Sequence, residues 1–164
     1  MKANEKWSDR MYRAYYKSEL GWIEVTGEET GITSVMFVDE LGEAVPHQLV
    51  EQCVQELDEY FHNKRTEFTV PLAAKGTSFQ QKVWKALTTV PFGKTASYLD
   101  MANEVGNPQS VRAIGGANSR NPISIIVPCH RIIGKNGTLV GYEGGLWRKE
   151  WLLRHEGIKI KEKR

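Results

Sequence analysis

The sequence predicts an α/β fold in two parts: a small sheet plus a helix, followed by a mainly helical half. Two observations predict this class. Short runs rich in aromatic and β-branched residues alternate with turn residues over positions 12–38. Apolar residues then recur at helical spacing through much of the remaining chain. A chain of 164 residues can form one domain or two small ones. We expect two, residues 1–75 and 76–164.

In the N-terminal half, three strands are predicted at Tyr12–Lys17, Gly21–Thr26 and Ile32–Val38. A helix is predicted over 46–62, because four apolar residues fall four apart and line one face: Leu49, Cys53, Leu57 and Phe61. Pro46 suits the first turn of that helix, and Cys53 on its buried stripe is interpreted as a core residue without chemistry. A further short strand is predicted at Thr66–Pro71, before a linker at 73–76.

In the C-terminal half, Ser78 is the expected cap of a helix whose inner face is Phe79, Val83, Ala86, Leu87 and Val90. A second helix over 97–105 stops at Gly106-Asn107-Pro108, and Ser110 opens a third. Two short helices joined by such a turn have the outline of a helix-turn-helix, which many helical hairpins share.

The third helix has a face almost free of bulk: Ala113, Gly115, Gly116 and Ala117. Arg112 is its main projecting group. A helix that reads the major groove normally carries long polar side chains. The small face therefore fits either close approach to a nucleic-acid backbone or narrow groove, or tight packing on a neighbouring helix, and both interpretations stay open here.

Composition and charge bound the class of protein. The chain is 40% hydrophobic and 26% charged, as ordinary globular proteins are, and no apolar run approaches the ~20 residues of a membrane span. Met1–Arg10 is polar without a signal-peptide core, and two cysteines do not make a disulfide framework, so a cytoplasmic protein is expected. The cysteines and histidines lack zinc-like spacing, so no metal is expected.

The net charge of +2 hides an asymmetry. Residues 1–75 contain 8 Lys and Arg against 14 Asp and Glu, a net charge of −6. Residues 76–164 contain 14 against 6, a net charge of +8. A basic half joined to an acidic one indicates a polyanionic partner for the basic half, although chance segregation produces the same split.

The chemistry is concentrated in residues 121–131, NPISIIVPCHR. A strand-like apolar run leads into a tight turn with Cys129, and His130 and Arg131 follow directly. A thiol reacts as its thiolate, and nearby cationic or imidazole groups lower its pKa. An isolated Cys-His pair favours a buried inert cysteine, because neighbouring side chains often diverge.

The whole stretch resembles the active-site signature of the O6-alkylguanine-DNA alkyltransferases. The likeness extends over about residues 78–157 and is looser over 1–75. Its further segments are Ser97-Tyr98, Gly106-Asn107-Pro108, Val111–Ala117, Gly141–Leu146 and Glu150–Gly157. The resemblance implies an RNase H-like N-terminal half and DNA repair by direct, irreversible transfer of an alkyl group onto Cys129. The resulting thioether is not hydrolysed, so each molecule acts once, as a methylated-DNA–protein-cysteine methyltransferase.

The resemblance also implies a role for each matched residue. Four residues are assigned to catalysis. Cys129 is the acceptor thiol, and His130 is the base that takes its proton through a water. Glu156 orients that histidine, and Asn121 is the hinge between the DNA-binding helices and the active-site loop. Base flipping through the minor groove is assigned to Tyr98, Arg112, Ala113 and Gly115, with Arg112 filling the space that the base leaves. The base pocket is assigned to Tyr142, Glu143, Ile132 and Asn118. No cofactor is needed, and the expected partner is double-stranded DNA containing O6-alkylguanine, or O4-alkylthymine, bound by a monomer without membrane association.

Asn118, Ser124 and Lys135 depart from some relatives, which bears on whether bulky alkyl groups are accepted as well as methyl. The main alternative is a non-transferring alkylated-DNA sensor, but such proteins lack the acceptor cysteine. A helix-turn-helix regulator would need side chains suited to the major groove, which the small face does not supply. A Cys-His-Glu hydrolase is disfavoured by the charge split and Arg112.

Overall fold

The computed structural model describes residues 11–134 and 137–160. The polar segment Met1–Arg10 and the loop residue Lys135 lie outside these ranges. The chain divides into two compact units at the Lys75–Gly76 bond. Each unit has its own set of buried apolar side chains.

The first unit contains a three-stranded antiparallel sheet in the order β1-β2-β3. The strands are β1 (Tyr12–Ser18), β2 (Gly21–Glu28) and β3 (Gly31–Phe37). The register of β2 against β3 shifts at Thr26/Gly27 through a bulge. The predicted α/β class and all three strands are confirmed, and the strand ends differ by at most two residues.

Helix α1 (Gln48–Phe61) packs on this sheet. The core between them is fully buried and consists of Ile23, Val25, Ile32, Val35, Val50, Cys53 and Leu57. The predicted start of the helix was two residues early: His47 is the cap, its Nδ1 accepting from the backbone N–H of Leu49 at 3.1 Å, so Pro46 precedes the helix. Val50, not Leu49, is the buried member of the first turn.

The strand predicted at Thr66–Pro71 is wrong. The Glu56 carboxylate takes the backbone N–H groups that a strand would have offered to the sheet, those of Thr69 at 2.8 Å and Val70 at 3.2 Å. It also accepts from the Thr69 hydroxyl and from Gln52, both at 2.8 Å. Burial alone would raise the pKa of Glu56, but these hydrogen bonds outweigh it and lower that pKa. The Glu56 side chain therefore holds this segment, which meets β3 in an isolated parallel bridge between Leu72 and Ile32.

We expect Glu56→Gln to lower the free energy of unfolding by about 2 kcal/mol, since charge-assisted hydrogen bonds contribute roughly 1.5–3 kcal/mol each and an amide retains part of them. Thermal or urea unfolding measures the change. Glu59→Gln is the control: its bond to Arg65 is part-exposed, and such pairs contribute about 0–1 kcal/mol. Equal losses in the two variants would contradict the structural role of Glu56.

The second unit contains four helices among its described residues: α2 (Ser78–Leu87), α3 (Tyr98–Glu104), α4 (Val111–Ser119) and α5 (Leu146–His155). Thr77, not Ser78, caps α2 in a reciprocal box with Gln80. Ser97 caps α3 in the same way with Asp100. No helix in the described part of the chain is both long and apolar enough to cross a membrane.

Two contacts fix the positions of α3 and α4 in this unit. The indole N–H of Trp84 on α2 donates to the carbonyl of Ala117 on α4 at 2.9 Å. The residue before the α3 cap, Ala96, pairs with Ile132 in a parallel bridge, through N–H···O distances of 3.0 and 2.9 Å. That bridge brings the N-terminus of α3 beside the turn that carries Cys129.

Candidate active site

The apolar run before Cys129 is not a strand. Residues 123–127 form successive tight turns, with the N–H of Val127 bonded to the carbonyl of Ile123 at 3.1 Å. Ile125 has φ +72°, a conformation that β-branched residues rarely adopt. Buried apolar side chains anchor this backbone, since Ile123, Ile125 and Val127 are each at most 3% exposed.

Asn121 braces these turns with its side-chain amide. Its Nδ2 donates to the carbonyls of Ile123 and Val127 at 3.2 and 2.9 Å, and its Oδ1 accepts from the Ile123 N–H at 3.0 Å. The chain then enters a single 3₁₀ turn, Cys129–Arg131, in which all three side chains are buried. The position of Cys129 is therefore set by Asn121 and by apolar packing together.

Cys129 opens onto a cavity of about 270 Å³. The cavity is lined by Tyr98 from α3, by Gly115, Asn118 and Ser119 from α4, by Cys129, and by Gly141, Tyr142 and Glu143 from the glycine-rich loop before α5. Six of the predicted site residues thus meet around one space. Burial raises the pKa of Cys129, while the Asn121 amide and the Lys149 charge oppose that rise.

The two residues after Cys129 belong to a buried polar cluster. His130 Nε2 and Glu156 Oε2 are 2.8 Å apart, and Arg131 donates to the same carboxylate from Nε and Nη2 at 2.8 and 3.0 Å. Burial would raise the pKa of Glu156, but His130 and Arg131 hold it well below its ordinary value. Because the ionised carboxylate only accepts, His130 carries its proton on Nε2. Its Nδ1 is buried and bonds no group in the described part of the chain.

Besides Asn121, His130 and Glu156, which lie around the cysteine turn, three further predicted residues are absent from the cavity lining. Arg112 and Ala113 are exposed on α4, which leaves them open to a partner. Ile132, assigned to the base pocket, is completely buried beside Ala96, and its backbone rather than its side chain bears on the site.

Sequence reasoning missed Lys149, Arg131 and Ser119. The Lys149 side chain is fully buried, and its Nζ donates to the carbonyls of Ile132 and of Val140, the latter at 3.0 Å. Burial lowers the pKa of Lys149 to about 8, and the nearby Cys129 opposes that shift. One signal was available: Lys149, Leu152, Leu153 and Glu156 share helical spacing, so this lysine belongs to the inner face of α5.

No group of three or more His, Cys, Asp or Glu side chains within residues 11–134 and 137–160 could hold a metal ion. The side chains define the class: a buried thiol on a cavity wall, followed in the chain by an imidazole that a carboxylate holds, is typical of proteins with a cysteine nucleophile. Comparison with known proteins gives the family. Residues 78–158 match the model of the 6-O-methylguanine DNA methyltransferase DNA-binding domain, and residues 11–74 that of its ribonuclease-like domain.

The chain belongs to the 6-O-methylguanine DNA methyltransferase family. It is 45% identical to the methylated-DNA–protein-cysteine methyltransferase of Methanosarcina acetivorans, over 90% of this chain and 99% of that protein. The crystal structure of Mycobacterium tuberculosis O6-methylguanine methyltransferase is similar with a TM-score of 0.81 and 40% identity, over 90% of this chain and 93% of the other. The crystal structure of Mycobacterium tuberculosis OGT in complex with DNA is similar with a TM-score of 0.80 and 41% identity, over 87% of this chain and 90% of the other. The predicted family is confirmed.

Proposed function

We propose that this protein repairs duplex DNA by moving the alkyl group of O6-alkylguanine onto Cys129, once per molecule. The observation that carries the proposal is the buried Cys129 thiol on the cavity wall, backed by the His130–Glu156 pair at 2.8 Å. Family membership supports the same activity, that of a methylated-DNA–protein-cysteine methyltransferase. The retained cysteine argues against a sensor that only binds lesions.

The reaction balances with groups of this chain. The thiol proton of Cys129 passes through a water to the bare Nδ1 of His130, and the sulfur attacks the alkyl carbon. A carbon–sulfur bond forms as the carbon–O6 bond breaks, and the electron pair passes to the guanine. The proton then passes from His130 to the guanine, which leaves as a neutral base. The thioether product has no good leaving group, so the thiol is not regenerated.

The cavity lining supports the remaining roles. Tyr142 and Glu143 would form the wall of the base pocket, with the backbone N–H of Glu143 donating to the guanine oxygen. Tyr98 would contact the flipped nucleotide from the N-terminus of α3. Asn118 contributes an amide whose Oδ1 is buried without a hydrogen bond in the described part of the chain, so a base packed there meets a polar side chain. The proposed substrate is O6-alkylguanine, with O4-alkylthymine as the alternative lesion.

We also infer that α3 and α4 act as a helix-turn-helix with α4 in the minor groove, and that the first unit is RNase H-like. The glycines of α4 support this mode of binding. A Cβ added to Gly115 would come no closer than 3.8 Å to Tyr98, and one on Gly116 no closer than 3.6 Å to Arg120. Packing inside this unit therefore does not require glycine at either position. Close approach of an external backbone explains both.

The first test is intact-mass spectrometry after incubation with a duplex containing O6-methylguanine. We expect a gain of one methyl group, saturating at one per protein molecule and mapped to the peptide that holds Cys129. The same duplex without the methyl group is the control. Tight binding without a mass gain would favour the lesion sensor. The absence of both a mass gain and binding would overturn the proposal.

Replacing Arg112 separates base flipping from chemistry. Flipping costs a few kcal/mol, and a side chain that fills the vacated space offsets part of that cost. We expect Arg112→Ala to slow methyl transfer from duplex DNA by roughly 10- to 100-fold, equivalent to about 1.4–2.8 kcal/mol. Transfer from the free base O6-methylguanine, which requires no flipping, should keep its wild-type rate.

Arg120→Ala is the matched control for Arg112, because it removes the same charge from an exposed position at the end of α4. It should have only the modest, salt-dependent effect of a lost phosphate contact. An equal loss on the duplex and on the free base in Arg112→Ala would contradict the flipping role.

Lys149→Met tests the buried cation. It removes a positive charge that favours the Cys129 thiolate and leaves the carbonyls of Ile132 and Val140 without this donor. We expect transfer at pH 7 to fall by about tenfold, the scale of one charge-assisted hydrogen bond. Single-turnover kinetics measure the transfer rate. Arg154→Met is the control, because Arg154 is an exposed residue of the same helix. Wild-type rates across pH 6–9 would show that Lys149 plays no part in transfer.

A further inference from the structure

Glu156 is shared unequally between two side chains. Arg131 binds both carboxylate oxygens, from Nε to Oε1 at 2.8 Å and from Nη2 to Oε2 at 3.0 Å. His130 contacts Oε2 alone, at 2.8 Å, and the Gly93 N–H reaches Oε1 at 3.4 Å. The arginine therefore makes the geometrically stronger, two-point contact.

Arg131 is itself held in place. It is 6% exposed, and its Nη1 donates to the carbonyl of Val90 at 2.7 Å. Its guanidinium carbon lies 5.9 Å from the centre of the Phe92 ring. An arginine does not lose its proton in a protein. The carboxylate thus has a fixed, permanent positive charge beside it.

The protonation of His130 depends on that charge. A buried carboxylate next to an imidazole favours the imidazolium, which has no lone pair left to accept a proton. The charged groups that act on His130 from the surrounding elements are Glu156 and Lys149 at the C-terminal helix and Arg131 beside it in the 3₁₀ turn. Burial lowers the pKa of His130, Glu156 opposes this, and Arg131 and Lys149 add to the lowering.

We propose that Arg131 is a positioning residue for the transfer reaction. It neutralises the charge of Glu156, so that the carboxylate orients His130 without stabilising its imidazolium form. His130 then stays a neutral imidazole with its proton on Nε2 and a lone pair on Nδ1. The inference rests on the proposed function for its purpose, because a histidine that accepts the Cys129 proton must start neutral. Its physical content, the protonation state of His130, is measured without any transfer.

The test is an NMR pH titration of ¹⁵N-histidine-labelled protein from pH 5 to 9, read in long-range ¹H–¹⁵N imidazole spectra. The chain has four histidines, and His130→Gln identifies the signal of interest. We expect the titration midpoint of wild-type His130 to lie below pH 6.5, with the neutral ring in the Nε2–H tautomer. Arg131→Met should raise the midpoint by at least one pH unit, whereas Arg131→Lys, which keeps the charge, should remain within half a unit of wild type.

Removing both charges provides the matched control and covers a folding failure. Glu156→Gln alone should lower the His130 midpoint, and Arg131→Met combined with Glu156→Gln should raise it again by at least one unit. The comparison of the double variant with Glu156→Gln provides the test if Arg131→Met alone does not fold. An unchanged midpoint on loss of Arg131, in either background, would overturn the proposal. Failure of methyl transfer in the wild type would instead overturn the proposed function and leave this titration intact.

Discussion

Cys129→Ala is expected to abolish methyl transfer completely while leaving binding to a methylated duplex within about threefold of wild type. The sulfur is the only acceptor atom in the proposed reaction, and alanine leaves space on the cavity wall without disturbing Asn121 or the His130–Glu156 pair. Intact-mass spectrometry measures transfer, and fluorescence anisotropy with labelled duplexes measures binding. The variant should therefore trap the lesion complex that the wild type resolves.

Cys53→Ala is the matched control, since the chain has two cysteines. Cys53 is fully buried on α1, and burial raises its pKa to about 12, so it does not form a thiolate at neutral pH. This variant should still gain one methyl group per molecule, with reduced stability from the lost core packing. Transfer that survives in Cys129→Ala and disappears in Cys53→Ala would refute the assignment of the acceptor.

His130→Gln is expected to slow transfer at pH 7 by roughly 10²- to 10⁴-fold, the range that general acid–base catalysis contributes. Glutamine keeps a polar side chain near Glu156 but cannot take the thiol proton. The variant must therefore lose that proton to solvent, and burial raises the pKa of Cys129 above its ordinary value of 9.0. Because the thiolate fraction grows with pH, the defect should shrink steadily between pH 7 and 9. Single-turnover rates across that range measure the effect.

His155→Gln is the control for this prediction. His155 directly precedes Glu156 but stacks on Trp151 at a centroid distance of 4.8 Å, outside the polar cluster. Its rate should stay close to wild type at every pH. If His130→Gln were slowed by one constant factor from pH 7 to 9, the loss would reflect damaged packing instead of a missing base.

Several elements were predictable because their signals are local. The three strands follow from runs of aromatic and β-branched residues, α1 from apolar residues four apart, and the starts of α3 and α4 from Ser97 and Ser110. The errors arose where a side chain takes over a backbone hydrogen bond. Glu56 captures the N–H groups of Thr69 and Val70, which removes the predicted strand. Asn121 bonds the backbone on both sides of Ile125, which turns the apolar run before Cys129 into tight turns.

By itself, the sequence determined the α/β class, the family, the nucleophile candidate and the identity of most cavity residues. These properties depend on residue types and short spacings, which the chain carries before it folds. Only the tertiary structure decided that Lys149 is a buried cation, that Ile132 is core, and that Arg131 shares Glu156 with His130. Those facts depend on burial and on contacts between residues separated in the chain, such as Arg131 and Glu156, which are 25 positions apart. Electrostatic roles follow from such contacts, because burial and neighbouring charge decide which protonation state a side chain holds.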